Sequence, residues 1–486
     1  MKKTSALIFT VICILTVFSC VNEKSRKQLV VIVNSVPARQ RYLYDEVFPK
    51  FEKLYKCKII LKSYESNEEL KDLLSQDSII SSTALVSVPL EIMRDLALSG
   101  KIAPLSDIVA SHVLLFDAAS YNERFSDIGK VKGVYYYYPN QIEVPILFYV
   151  KSKVAAAIEK YADYEEEINA VLKIMNGFGL PCGYTVNENP NEWDMYDIFV
   201  IGYIWMKERY KNEEEKTGRI LLQDAKRYYG MNMLFYNAFA LGAKWENIEK
   251  MSGDAVEEVF LWEMVFGKYS IFNPLSYKKE VLPADIYNAF RKGEIFMAYF
   301  SQNDCFNIME GTDESNMRPY ISDASDVGIA LVPLIVPFTL DEYGDLAFEG
   351  ARISALKGYY WGIPSDAKEK ELAYILLQYL NNRSQITKDA VRFGDIPVRE
   401  DVLMNLQNIY EEKWLGDGYT AAALRQTMNY FDAKYLPLNG GNDSIVSDNY
   451  IYMRDLIKDV SYQPNEINKN SVRSLIKQNY SKKDEK

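Results

Sequence analysis

Short apolar runs alternate with helical periodicity along the first hundred residues. "KQLVVIVNSV", from Lys27, is almost continuously apolar and β-branched, the pattern of a strand covered on both faces. A helical pattern follows, with Val47, Phe51, Leu54 and Tyr55 on one face and Pro49 inside its first turn. "CKIILKSYE" predicts a second strand. "SNEELKDLLSQD" predicts a helix with Ser66 and Glu69 at capping-box spacing and Leu70, Leu73 and Leu74 inward. "TALVSVP" predicts a third strand, and Pro89 opens a helix that Gly100 ends. Three such alternations predict a parallel α/β unit.

The pattern changes at "VKGVYYYYPNQIEVPILFYVKSKV". Two strand-like segments flank Pro139-Asn140, and Pro145 breaks the second; extended segments of this kind suit a connection between lobes. From Ala155 to Lys250 the spacing is mainly helical, and the acidic runs at Glu165–Glu167 and near Glu213 fit solvated helix faces. "AFRKGEIFMAYFSQND", Ala289 to Asp304, predicts a helix end, a turn at Gly293 and an alternating strand leading to a polar cluster. "GYYWGIPSDAKEKELAYILLQYL", Gly358 to Leu380, ends in a helix. Asp366 and Glu369 form its expected capping-box pair, and Leu372, Leu376, Tyr379 and Leu380 its buried stripe. That helix needs none of Tyr359, Tyr360 and Trp361, which leaves three rings for another task. Neighbours on a strand point to opposite faces, so part of this cluster, like half of Tyr135–Tyr138, belongs to the core.

Length and charge narrow the classes. A chain of 486 residues exceeds one ordinary core, so two lobes are expected. Its 48% hydrophobic and 25% charged residues are those of a globular protein, and a net charge of −11 argues against a nucleic-acid or anionic-membrane surface. One histidine, His112, leaves little for imidazole-based metal or nucleophile chemistry. No metal site and no cofactor is implied.

At the N-terminus, Lys2 and Lys3 precede an apolar run from Ala6 to Phe18 and then Ser19-Cys20. The run is short for a membrane span and fits a secretory signal. The segment resembles a bacterial lipobox, with Cys20 as the residue that would carry the lipid, palmitate among its acyl chains; Phe18 is bulkier than the usual small residue. An ordinary cleaved signal and an uncleaved anchor are the alternatives. "VNEKSRKQ" then serves as a tether. With Cys13 in the signal and Cys20 at the lipid site, Cys57, Cys182 and Cys305 remain, at no metal-ligand spacing and with room for at most one disulfide.

Several motifs in order resemble family 1 extracellular solute-binding proteins, the sugar-binding lipoproteins of ABC importers of maltodextrin-binding type. They are Phe290, Gly293 and Met297-Ala298 of the 289–304 segment, with Ala-Met order reversed, "DVGIALVPL" from Asp326, the 358–380 segment, and "FGDIPVRED" from Phe393. "STALVSVP" departs from the family's early substrate turn, and Ala155–Lys250 and the last eighty or so residues match least. The resemblance implies an α/β, two-lobe periplasmic-binding-protein-like fold whose chain crosses a hinge three times. It divides the chain into a signal peptide (1–19), a tether (20–28), lobe I (29–143 and 351–380), lobe II (144–350 and 381–480) and a disordered tail (481–486). It places Tyr359, Tyr360 and Trp361 on a strand entering a cleft between lobes, where a flat ring covers the C–H face of a sugar and polar side chains meet its hydroxyls. Asp304, Asn303, Glu143 and Trp193 are the further ligand-binding candidates; Trp193 equally suits a core anchor. The implied protein is a monomer, not an enzyme. It is tied by lipid to the outer face of the cytoplasmic membrane or held in the periplasm, and it passes a small carbohydrate to permease subunits. An exported carbohydrate-active enzyme using two carboxylates, and a sensor or surface lipoprotein of the same fold, are the alternatives.

Overall fold

A computed structural model describes residues 27–111, 121–211, 219–221, 236–273, 283–302, 324–405, 430–431 and 467–481. In chain order the strands used below are β1 (Lys27–Asn34), β2 (Cys57–Tyr64), β3 (Thr83–Pro89), β4 (Tyr137–Glu143), β5 (Pro145–Val150), β6 (Arg219–Leu221), β7 (Ile295–Ser301), β8 (Val327–Ala330) and β9 (Lys357–Gly362). The helices are α1 (Asn67–Leu73), α2 (Leu90–Leu98), α3 (Tyr161–Asn176), α4 (Met195–Lys211), α5 (Asp254–Lys268), α6 (Pro283–Arg291), α7 (Lys370–Leu380) and α8 (Lys469–Ser481). The chain divides into two compact units: residues 1–141, 358–386 and 398–401 form unit 1, and the remainder forms unit 2.

Unit 1 is built on a five-stranded sheet in the order β2-β1-β3-β9-β4. β1 lies parallel to β2 and to β3, as the alternating pattern requires, and β9 runs antiparallel to β3 with Trp361 opposite Ser87. Leu29 to Val33 and all of β3 are buried, because helices cover both faces of a parallel sheet. The Ser66 hydroxyl accepts from the Glu69 amide at 3.2 Å, while the Glu69 carboxylate accepts from the Glu65 amide at 2.7 Å. The Ser66 half of the predicted capping box is formed, while Glu69 reaches one residue beyond the N-cap. Pro89 is the N-cap of α2, and Gly100 follows it at φ +74°.

Three local expectations are corrected in this unit. Pro139 and Asn140 do not separate two strands but lie within β4, an edge strand, where a missing N–H costs least. α7 begins at Lys370 with Glu369 as N-cap and no side-chain cap bond, so Asp366 and Glu369 do not form a capping box. The preceding turn is tied down by Ser365 N donating to Lys101 O and Ala367 N to Pro364 O, and the Glu369 carboxylate accepts from Lys27 Nζ at 2.6 Å. Finally, Val47 and Phe51 are buried but Leu54 and Tyr55 are exposed. Both exposed residues stand in the last turn before Lys56 ends the helix in the left-handed region at φ 51°, and the Tyr55 ring packs on that of Phe51 at 4.4 Å.

Unit 2 contains a four-stranded sheet in the order β8-β5-β7-β6 and a large apolar core around α4 and α5. Pro145 opens β5 rather than breaking a strand. As expected, α6 leads through Gly293, at φ +70°, into β7. β7 is buried at every residue instead of alternating, because both its faces are covered: Phe300 packs on Tyr287 and Phe290 of α6, while Met297 and Tyr299 join the apolar core. Glu165, Glu166 and Glu167 stand on the exposed face of α3, as expected; the "NEEEK" run near Glu213 lies outside the described residues.

Candidate functional site

In unit 1 the parallel strands run in the order 2-1-3, so the chain passes from β1 to β2 on one side and then crosses back to place β3 on the other. Side chains at the carboxyl ends of strands flanking such a reversal are available to a ligand. This edge carries Asn34 and Ser35 at the end of β1, Tyr64 and Glu65 at the end of β2, Pro89 and Glu91 around the end of β3, and Tyr359, which pairs with Pro89. Polar bonds fix the edge. The Tyr64 hydroxyl donates to Ser87 O at 2.7 Å, Asn140 Nδ2 donates to Ser87 Oγ at 3.2 Å, and Ser35 N donates to Tyr64 O at 2.8 Å. Burial pushes the Tyr64 hydroxyl far above its ordinary pKa, so it remains a donor at every accessible pH.

The three aromatics of β9 occupy different environments. Tyr360 is fully buried, and its hydroxyl donates to Phe125 O at 2.9 Å. Trp361 is 3% exposed, beside Gly362, against which the Tyr137 ring packs so closely that a Cβ would meet it at 2.8 Å. Tyr359 is half-buried at the carboxyl edge.

In unit 2 a set of polar groups gathers where β5 begins and its antiparallel neighbours β7 and β8 end, with Pro145 opposite Ser301 and Leu147 opposite Ala330. Glu143 is half-buried here, and its carboxylate accepts from Ser301 Oγ at 3.4 Å. Gln302, fully buried, accepts from Val144 N at 2.7 Å and donates to Ile142 O at 2.8 Å, while Ser354 Oγ donates to Pro145 O at 2.8 Å. Beyond β8 the chain meets residues 187–194: Leu334 N donates to Trp193 O at 2.8 Å and Leu331 N to Asn191 Oδ1 at 3.1 Å. Trp193 is fully buried, bonded through Nε1 to Asn187 O at 2.7 Å and packed edge-on against Tyr149 at 5.3 Å. It anchors this segment.

Of the candidates from sequence, Glu143 lies where β5 begins, Trp193 packs on Tyr149 further along that strand, and Tyr359, Tyr360 and Trp361 share one strand of unit 1. Asn303 and Asp304, which follow Gln302, lie outside the described residues, as do Cys20, Cys305 and His112. Gln302, Tyr64 and Asn140 were missed. Gln302 could have been suspected as the first polar group with several bonding atoms after a continuous apolar run. Cys57 is a buried free thiol and Cys182 an exposed one. Among the described residues no group of three or more His, Cys, Asp or Glu could hold a metal, and no helix is long and apolar enough to cross a membrane.

The chain has the two-lobe α/β fold of periplasmic solute-binding proteins. An ABC transporter solute-binding protein from Thermotoga lettingae, bound with α-D-tagatose, aligns at TM-score 0.63 and 13% identity over 94% of this chain and 99% of its own. Maltose-bound MalE3 from T. maritima aligns at TM-score 0.61 and 13% identity over 93% and 99%. The GacH receptor of Streptomyces glaucescens, solved unliganded and with acarbose, gives the same three values as MalE3 and the same 99% of its own chain. No family model matches the sequence, and no curated protein matches it.

Proposed function

We propose that this chain is an extracytoplasmic solute-binding lipoprotein, anchored through Cys20, which captures a mono- or oligosaccharide and delivers it to the permease subunits of an ABC importer. The observation that carries the reading is the fold: it is shared over more than nine-tenths of the chain with proteins described as bound to tagatose, maltose or acarbose. The polar strand ends support it. We assign solute contact to Tyr359 at the carboxyl edge of unit 1, with Tyr360 and Trp361 as its packed support, and to Glu143 with the following Asn303 and Asp304 in unit 2. Trp193 holds the neighbouring segment. A half-exposed ring suits the apolar face of a sugar, and the carboxylate and amide groups suit its hydroxyls. We assign the chain no catalytic step and expect it to act as a monomer.

The test is a thermal-shift screen of the purified chain against a carbohydrate panel. A ligand at a hundred times its dissociation constant stabilises the folded protein by about 2.7 kcal/mol, a shift of several degrees. No shift with any carbohydrate at millimolar concentration defeats the proposal.

A further inference from the structure

Unit 2 holds three large apolar side chains in solvent that neither its core nor the proposed solute contacts use. Ile174, in the last turn of α3, is 75% exposed, Phe178 just beyond that helix 44%, and Tyr343 76%. Two short segments present them, and both are closed by their own hydrogen bonds. After α3 the chain turns at Gly177, at φ +87°; Asn176 Oδ1 accepts from Phe178 N at 3.0 Å and Gly179 N at 2.8 Å, and Asn169 Oδ1 from Leu180 N at 2.9 Å. In the second segment Leu340 bridges antiparallel to Leu346. Asp341 Oδ1 accepts from Tyr343 N at 2.8 Å and Asp345 N at 2.9 Å, so Tyr343 stands at the apex of a closed tip. The segments lie against each other: Cys182 N donates to Gly344 O at 2.9 Å, and a Cβ at Gly344 would meet the Phe178 ring at 3.4 Å. A single exposed apolar residue needs no explanation, but adjoining ones on loops already fixed in place mark a contact surface, since little order remains to be lost on binding.

The charges around the tip decide between occupants. Asp341, Glu342 and Asp345 flank Tyr343, and Lys173 is the single base in residues 173–183 and 340–346. Glu342 and Asp345 are exposed and form no ion pair among the described residues. An anionic bilayer surface would be repelled, and a second copy in a two-fold contact would set three carboxylates against three. A basic protein surface is attracted, and its Lys or Arg groups supply the cations that the tip lacks.

We propose that this tip of unit 2 is a docking surface for a protein that carries Lys or Arg around an apolar pocket, and that this protein is an extracytoplasmic loop of the permease. The pocket takes the Tyr343 ring, Phe178 and Ile174 widen the apolar contact, and the bases meet Glu342 and Asp345. Tyrosine suits the central place because it brings a large apolar face and a polar end on few rotatable bonds, and such anchors carry most of the energy of an interface. The identity of the partner rests on the solute-import reading; the surface and the chemistry that fits it do not.

The test binds the full chain to the permease subunits reconstituted in nanodiscs of zwitterionic lipid, with empty nanodiscs of zwitterionic and of anionic lipid alongside. Wild type, Tyr343→Ala and the double variant Glu342→Lys with Asp345→Lys are compared at low and high salt. Cys182, an exposed thiol beside the tip, reports occupancy through its rate of alkylation by iodoacetamide, read by peptide mass spectrometry. Wild type should bind only the nanodiscs that hold permease, with Cys182 alkylation slowed in proportion to the fraction bound. Tyr343→Ala should weaken binding roughly tenfold or more, as loss of a central aromatic anchor does. The double variant should also bind more weakly, and the loss of affinity with salt seen in wild type should shrink. Both variants should keep the wild-type melting temperature and carbohydrate-induced shift, since the side chains changed lie outside the core. Binding that leaves Cys182 alkylation unslowed, or that neither variant alters, overturns the docking surface; the Cys182 rate in wild type decides even if a variant does not fold. Equal binding to empty anionic nanodiscs, or self-association in sedimentation that Tyr343→Ala abolishes, overturns the partner in favour of a bilayer or a second copy. If wild type binds a carbohydrate but not the permease, this proposal and delivery to the permease fall together, while solute capture stands.

Discussion

Replacing Trp361 with Ala separates a packing role from a direct binding role. The indole is 3% exposed and lies on β9 opposite Ser87 of the fully buried β3, with Tyr360 and Gly362 as its buried neighbours. A side chain of this size removes about 150–250 Å² from water, which at about 25 cal/mol per Å² amounts to roughly 4–6 kcal/mol as an upper estimate. Large-to-small substitutions of buried aromatics cost about 3–5 kcal/mol, and that is the range expected here. Two units need not unfold together, so the loss is best read as native-state amide exchange of β3 and β9 rather than as one global transition. The fraction that remains folded should bind solute with an affinity within about threefold of wild type, a difference below 1 kcal/mol. Tyr359→Ala should do the opposite, weakening binding with little loss of stability. If Trp361→Ala left unit 1 stable and cost a hundredfold in affinity, the packing role would be wrong.

Three further outcomes are expected. In Gly328→Ala a Cβ would stand 2.1 Å from the Tyr149 ring that packs on Trp193, so overpacking should destabilise unit 2 by about 1–3 kcal/mol, and the double variant with Tyr149→Ala should recover part of this in denaturant titrations. In Lys469→Met, the fully buried Glu258, whose carboxylate accepts from Phe338 N at 2.7 Å and Thr339 N at 3.0 Å, loses a cation 3.0 Å away. About 2 kcal/mol should go and α8 should become susceptible to limited proteolysis; an unchanged cleavage pattern contradicts this. Cys20→Ala should abolish lipidation, and mass spectrometry of the membrane-bound wild type should show an acylated N-terminal cysteine; an unlipidated mature N-terminus elsewhere would rule out the anchor.

What was legible in the sequence is what local chemistry dictates. Continuous β-branched runs gave β1 and β3, Ser66 with Glu69 gave the start of α1, and Gly293 gave the turn into β7. Each is settled within a few residues. Asp366 and Glu369 had the right spacing for a cap, but contacts from Lys101 and Lys27, hundreds of residues away in sequence, hold that turn in another form. Pro139 looked like a break because a strand's place in its sheet is not local, and at an edge proline is tolerated. The sequence offered three adjacent aromatics, Tyr359, Tyr360 and Trp361, for contact with solute. Which ring stays half-exposed depends on what covers each face of β9, and Tyr359 is the one at the strand edge. Arg352 carried no signal, since it joins two carbonyls, those of Trp193 and Val332, in segments far apart in the chain.

Isothermal titration of the purified chain with the carbohydrate that most raises its melting temperature tests the central claim most directly, with the sugar recovered and analysed afterwards. The account predicts saturable binding of one sugar per chain, returned chemically unchanged, and weakened by Tyr359→Ala. A failure to bind any carbohydrate, or recovery of a cleaved sugar, would contradict it.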